Sequence, residues 1–316
     1  MNEFRLFPQS ASSISGDVDR AYFFLIAVAT FFTGLIFVLI VYFALRYSRK
    51  RNPNPEHVHT SYTLEIVWTI IPLIIVIVIF SWGAKIYVHA LTVPDGAMEI
   101  HVLAKQWMWK TQHPTGQREI NELHIPVGRP VRLMMASQDV IHSFYVPAFR
   151  IKRDVVPGRF NEMWFEATAA GEYHLFCAEY CGSGHSSMIG RIVAMDPGAY
   201  QQWLAGTPAQ EPPVRSGEKL FVQFACNTCH GQRAPTLAGL YGRRVQLADG
   251  STLIADDNYI RESILSPNAK FVAGYPPLMP TYQSLMSEEQ LIDLVAYIKS
   301  LKNAAGDTGI LPVPPK

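Results

Sequence analysis

Cysteine is scarce in this chain, with only four among 316 residues. All four fall inside two short clusters, which leaves none for a disulfide and excludes a disulfide-stapled secreted fold. Charge is scarce too: Asp, Glu, Lys and Arg make up 17% of the residues and sum to a net charge of +1. Lys and Arg are nowhere gathered into a long basic stripe, so nucleic acid is excluded as a partner. No cysteine precedes Cys177, so no lipid anchor on an N-terminal cysteine is expected.

What is abundant is apolar sequence, 49% of the chain. The 25 residues from Ala21 to Leu45 carry no charge, more than the roughly 20 that a membrane-spanning helix needs. A second charge-free run, Ile66 to Ala84, is bounded by Glu65 and Lys85 and holds Trp68 and Trp82 near its ends, as interfacial aromatics would be. Pro72 inside it predicts a kink. Between the runs stand Arg46, Arg49, Lys50 and Arg51, and the positive-inside rule puts that loop in the cytoplasm and both termini outside. Glu3, Asp17 and Asp19 precede a span too long for a signal-peptide core, which speaks against cleavage there.

After Pro94-Asp95-Gly96 the pattern turns to short β-type runs, such as Val131 to Met135 and Glu162 to Phe165, punctuated at Pro126-Val-Gly128 and Val156-Pro-Gly158. That spacing predicts a sandwich or small barrel. The first cysteine cluster, Cys177-Ala-Glu-Tyr-Cys181-Gly-Ser-Gly-His185-Ser-Ser-Met188, follows a strand over Tyr173 to Phe176 and precedes another near Ile189. Two thiolates, an imidazole and a thioether within twelve positions are soft donors that select copper. Zinc leaves Met188 unexplained and a one-copper blue site leaves Cys177 unexplained, whereas two copper ions bridged by both sulfurs use every donor. A further imidazole is open among His89, His101, His113, His124, His142 and His174. Alternation turns His174 away from Cys177, and the residues alone rank His142 level with His101 or His124.

The second cluster, Cys226-Asn-Thr-Cys229-His230, is the attachment pattern of a c-type haem; a Cys-x-x-Cys redox site is its rival, but no thioredoxin-like βαβ pattern surrounds it. A helix over Gly217 to Ala225 would deliver the cysteines, with His230 as an axial ligand. No histidine follows His230, so the sixth ligand is a thioether, Met279 or Met286. Met279 lies in the proline-stiffened loop Tyr275-Pro-Pro-Leu-Met279-Pro, whereas Met286 precedes Ser287, which with Gln290 forms a capping box.

Together these features resemble subunit II of cytochrome c oxidases, in the bacterial caa-type form with a fused cytochrome c domain. The likeness runs over nearly the whole chain through the two-span hairpin, Gln106-Trp107-Met108-Trp109, Asp139-Val-Ile-His142-Ser, Val156-Pro-Gly158-Arg and the Cys177 to Met188 cluster. It implies a cupredoxin-like Greek-key sandwich between a transmembrane hairpin and an all-α class I cytochrome c domain. It also implies that His142, Cys177, Cys181, His185 and Met188, with the Glu179 carbonyl, hold a dinuclear copper centre. The Glu179 side chain would serve a magnesium ion facing subunit I, although from the residues alone it is a solvated acid. Trp107 would be where electrons enter; without the family, Trp107 and Trp109 are core or interface aromatics. Met108 departs from the family's usual aromatic. Glu65 would mark the entrance of a proton pathway; its other reading is a helix-dipole partner worth about 0.3 to 1 kcal/mol. Met279 matches the family's methionine ligand.

The expected organisation is an N-terminal segment and hairpin over 1–95, a copper domain over 96–205, a Pro-rich linker over 206–214, a haem domain over 215–303 and a tail over 304–316. Pro212-Pro213 suggests a semi-rigid tether with no fixed interface between the redox domains. The resemblance implies a subunit of a proton-pumping oxidase in the bacterial plasma membrane, its redox domains on the periplasmic side. Electrons would pass from an outer donor, a cytochrome c or bc complex, through haem c and copper to haem a in subunit I. Rival readings are the copper subunit of a nitric oxide or nitrous oxide reductase, and a membrane copper carrier or sensor.

Overall fold

The computed structural model describes residues 7–54, 60–230 and 233–301. The tail expected over 304–316 lies outside the described residues. Two long helices come first, α1 (Ser15–Arg46) and α2 (Tyr62–Leu91). Both outlast their charge-free runs by several residues, and neither buries its apolar stretch against the rest of the chain. Ser61 caps α2, and the helix continues through Pro72 as one element. An apolar surface of this size left open at that length is a membrane-spanning surface.

The next ten strands are β1 (Met98–Lys105), β2 (Met108–Gln112), β3 (Arg118–Ile120), β4 (Glu122–Pro126), β5 (Val131–Ser137), β6 (His142–Val146), β7 (Ile151–Val155), β8 (Asn161–Phe165), β9 (Gly171–Cys177) and β10 (Ile189–Met195). They form two five-stranded sheets, ordered β3-β2-β1-β5-β8 and β4-β10-β9-β6-β7. Pairs β1·β5 and β4·β10 are parallel and the others antiparallel, which crosses the chain between edges and closes a sandwich. Inward residues such as Ile100, Trp109, Leu133, Phe144, Phe165 and Leu175 are fully buried between the sheets. In β9 the alternation buries Tyr173, Leu175 and Cys177 and exposes His174 and Phe176, so one period decides which side chains can reach the interior.

The hairpin is stitched to the sandwich below it. Ser12 bridges to Ala167, its hydroxyl donates to the Phe149 carbonyl at 2.8 Å, and Arg150 grips Asp19 through Nε and Nη2 at 2.7 and 3.0 Å.

After helix α3 (Pro197–Gly206) comes the C-terminal unit: α4 (Pro213–Gln223), the hairpin β11 (Arg244–Gln246) and β12 (Thr252–Ile254), α5 (Asp257–Leu265) and α6 (Glu288–Ser300). Its helix α4 starts at Pro213 and ends before Ala225, shifted from the expected 217–225, because Pro213 is itself the first helical residue. The capping box of Ser287 and Gln290 opens α6.

This unit is docked, contrary to the expectation of a tether alone. Lys299 reaches both Glu99 oxygens at 2.9 and 3.0 Å, Arg132 donates to Glu99 and Asp257, and Lys110 reaches Glu289. Leu103, Met134, Ala136 and Phe160 of the sandwich join the same apolar cluster as Leu291, Ile292 and Val295 of α6. The linker is pinned as well: the Gln210 N–H donates to the Gly116 carbonyl at 3.1 Å. Pairings between residues some ninety to two hundred positions apart leave no local pattern, so the linker composition could not announce them.

Candidate functional site

The register of β6 on β9 pairs Phe144 with Cys177, which sets His142, two residues earlier, beside the loop that leaves β9. The Cys177 and Cys181 sulfurs lie 3.7 Å apart, unbonded; His142 Nδ1 is 4.0 Å from Cys177 Sγ, His185 Nδ1 is 3.6 Å from Cys181 Sγ, and Met188 Sδ is 3.8 Å from Cys181 Sγ. Cys177, Cys181, His142 and Met188 are all buried. The Glu179 carbonyl accepts from the Cys177 thiol at 3.3 Å, so it points at the cluster while the Glu179 side chain is exposed. Of the open histidines, only His142 reaches the thiols. His101 turns to Glu99, and His124 binds Glu119 and stacks on Trp203.

The electrostatics of the pair are asymmetric. Burial pushes the Cys177 thiol up, but hydrogen bonds from His142 and from the Glu179 and Ser143 backbone outweigh it and bring it to about 6. Cys181, raised by burial and by its neighbour Cys177, is pushed up to about 12. One thiol thus ionises readily and opposes ionisation of the second. A cation between them removes that conflict, and a set of two sulfurs, two imidazole Nδ1 atoms and a thioether, all buried but the half-buried His185, suits copper. His142 is prepared for it: its Nε2–H donates to Asp139 Oδ1 at 2.9 Å, so Nδ1, which faces the sulfurs, becomes a donor atom once a cation displaces the proton it shares with Cys177.

Trp107 lies in the turn between β1 and β2, while Trp109 is wholly buried. The two do not share a strand face as their spacing suggested, because β1 ends at Lys105 and the turn takes up Gln106 and Trp107. The Trp107 indole is 38% exposed and donates to the Cys181 carbonyl at 3.1 Å, and the Gln106 amide donates to the same carbonyl at 2.7 Å. A Cβ on Gly184 would stand 2.4 Å from the Trp107 ring, and Gly182 combines a φ of +112° with contacts to Gln106 and Trp107. The two glycines between Cys181 and His185 therefore let the indole lie flat on the loop. Asp139, Gln106, Gly182 and Gly184 were not singled out as site residues from the sequence; the paired glycines were the available signal.

A second site lies in the C-terminal unit, a crevice with about 1250 Å³ of empty space, part of it open to solvent. Cys226, Cys229 and His230 line one side and Met279 another, with apolar walls that include Phe221, Ile264, Leu294 and Ile298. His230 Nδ1 donates to the Pro235 carbonyl at 2.8 Å, which leaves Nε2 for a ligand, and burial holds the imidazole below its usual pKa and hence neutral. The Met279 loop is anchored where Thr281 donates to the Leu265 carbonyl at 2.6 Å. Met286 packs beside the apolar cluster and does not line the crevice. An apolar slot with two thiols at its edge and N and S donors on separate elements fits a covalently held haem. All of its lining residues belong to the C-terminal unit.

Comparison with known proteins matches three families along the chain: "Cytochrome C oxidase subunit II, transmembrane domain" over residues 2–85, "Cytochrome C oxidase subunit II, periplasmic domain" over 115–195 and "Cytochrome c" over 214–302. The "Cytochrome c oxidase subunit 2" of Alkalihalophilus pseudofirmus is 31% identical over 288 residues, covering 84% of this chain and 82% of that one. The chain belongs to the subunit II family of cytochrome c oxidases. The "Probable cytochrome c oxidase subunit 2" of Rickettsia prowazekii is 31% identical over 221 residues, 63% of this chain and 71% of its own. The crystal structure of the periplasmic domain of subunit II of cytochrome oxidase from Bradyrhizobium japonicum is 30% identical, covers 37% of this chain and 96% of that one, and superposes with a TM-score of 0.36.

As a family member the chain is an oxidase subunit with two membrane spans, a cupredoxin-like sandwich and a cytochrome c domain, to which a small β-hairpin is added. Copper and haem c are the cofactors these domains imply in general. Glu65 sits in the first turn of α2, one turn after the Ser61 cap, at the end of the hairpin away from the sandwich.

Proposed function

We propose that this chain is the subunit through which electrons enter a proton-pumping haem–copper oxidase, passing from an outer donor such as a cytochrome c or bc complex to haem c, then to a dinuclear copper centre and on to haem a of subunit I, where oxygen becomes water. The observation that carries this reading is the convergence of His142, Cys177, Cys181, His185 and Met188 on one buried spot beneath Trp107. A thiolate-bridged copper pair supplies a one-electron relay that needs no open coordination position.

This chain's residues hold and orient. Cys226 and Cys229 would tether the haem, His230 and Met279 would ligate its iron, and the Glu179 carbonyl would complete the copper set. Trp107 offers an exposed ring on the copper loop as the electron port. The Glu179 side chain, free at the surface, is available to a magnesium ion against subunit I, and Glu65 to protons entering from the cytoplasm. In the proposed orientation both termini and both redox domains face the periplasm. The haem domain is docked on the sandwich, and its short linker would hold it at an effective concentration on the order of mM if it were released, so no free cytochrome need dock at the copper site for each electron.

The test is to purify the complex in detergent, identify the co-purifying subunits, record optical spectra and assay oxygen uptake. A haem c band, a near-infrared mixed-valence copper band and oxygen consumption are expected. Absence of the copper band sinks the relay, and consumption of nitric oxide in place of oxygen assigns the subunit to a different reductase.

A further inference from the structure

At the sandwich end of the hairpin, α1, α2 and the β7–β8 edge enclose a groove with about 1390 Å³ of empty space, part of it open to the surroundings, which the redox sites do not use. Its walls are helix faces, with Leu25 from α1 and Ile86 and Ala90 from α2. Gly83 opens the floor, since a Cβ there meets nothing within 4 Å. From Gly83 to Leu91 the groove follows roughly 12 Å of helix, close to the roughly 15 Å depth of hydrocarbon in one leaflet.

Charge is concentrated at the mouth, and nearly all of it is neutralised within the protein. Arg150 is held by Asp19, Lys152 by Asp154 at 2.9 Å, and Glu162 by Arg132. Arg153 is the exception. It lines the groove, is half-buried, and has no hydrogen bond or ion pair to a carboxylate among the described residues. Alternation along β7 sends Lys152 and Asp154 to one side and Arg153 to the other, so Lys152 makes the close contact with Asp154 and Arg153 acts on that carboxylate only through space. A half-buried guanidinium above an apolar slot at a membrane surface is complementary to a phosphodiester with a hydrocarbon tail.

We propose that this groove is a binding site for one anionic phospholipid of the surrounding bilayer, its phosphate on Arg153 and one acyl chain between α1 and α2. The proposal rests on the two-span membrane architecture and is independent of the electron relay.

The experiment uses the whole purified complex, equilibrated with vesicles of equal parts phosphatidylglycerol and phosphatidylcholine, washed in detergent and analysed for retained lipid by native mass spectrometry. Wild type is expected to retain one phosphatidylglycerol that resists washing. Arg153→Gln should lower the preference for phosphatidylglycerol over phosphatidylcholine about fivefold. Gly83→Leu, which fills the slot and keeps the charge, should lose the tightly held lipid altogether. Unchanged haem and copper spectra in both variants establish that they fold. Equal retention of the two lipids by wild type, retention unaltered by both substitutions, or a map of the complex with another subunit's helix in the groove would overturn the proposal.

Discussion

The indole N–H of Trp107 donates to the backbone carbonyl of Cys181 at 3.1 Å, so an aromatic ring that meets solvent is tied to a residue of the thiol cluster. If electrons enter through this ring, Trp107→Ala should slow reduction of the copper centre by at least about tenfold, a barrier rise of about 1.4 kcal/mol. Copper content should not change. Stopped-flow mixing with a reduced donor, followed in the near-infrared, reads both, and an unaltered rate removes Trp107 from the path.

Asp139 accepts from His142 Nε2 and, through its other oxygen, from the Gln106 N–H at 2.8 Å. It thereby joins the imidazole to the turn that carries Trp107. Asp139→Asn weakens this support, and copper affinity should fall by about 10- to 100-fold. Chelator competition measures it, with the haem band as an internal control.

Met279 faces the haem crevice and Met286 does not. Met279→Leu should abolish the methionine-to-iron charge-transfer band and lower the haem potential, since the Met ligand raises it. Met286→Leu should leave band and potential in place. The reverse pattern would reassign the ligand.

Glu119 is almost buried, and although burial raises its pKa, hydrogen bonds from His113 and from the His124 side chain and backbone lower it more, to about 2. Because the folded value is depressed, its contribution to stability is complete above the unfolded carboxylate pKa of 4.5 and is lost as pH falls from there towards 2. Thermal unfolding of the copper domain within the full chain should therefore drop over that window. Glu119→Gln should lower stability at neutral pH and flatten the acid limb.

Arg132 donates to Glu99, Glu162 and Asp257, and so ties two strands of the sandwich to the cytochrome domain. Arg132→Ala leaves buried Asp257 and half-buried Glu99 without that partner and should loosen the docked domain. Limited proteolysis across 207–212 should become at least about tenfold faster, a shift of about 1.4 kcal/mol towards the open form. Equal cleavage rates would mean that the apolar contacts of Leu103 and Phe160 hold the domain by themselves.

Much of the architecture was legible along the chain. The two spans show as unbroken apolar runs, and the copper and haem clusters each concentrate their donors within a few positions. Their chemistry is therefore carried by residue type and local spacing. His142 was not legible in this way, because it lies 35 positions before Cys177 and reaches it only through the pairing of β6 with β9. Trp107 was misread as a strand residue, because the end of β1 at Lys105 depends on how the turn packs over Gly182 and Gly184. The docked haem domain was missed for the same reason, since Lys299 and Glu99 meet across 200 positions.

The sequence by itself determined which elements form and which chemistry each cluster can hold, because helix length, strand alternation and donor type are local properties. Only the tertiary structure decided which histidine joins the thiols, which methionine faces the crevice, where the indole rests and what remains unpaired at the mouth of the membrane groove. Those choices depend on strand register, on burial and on charges that cancel through space, and none of these is a property of neighbouring positions in the chain.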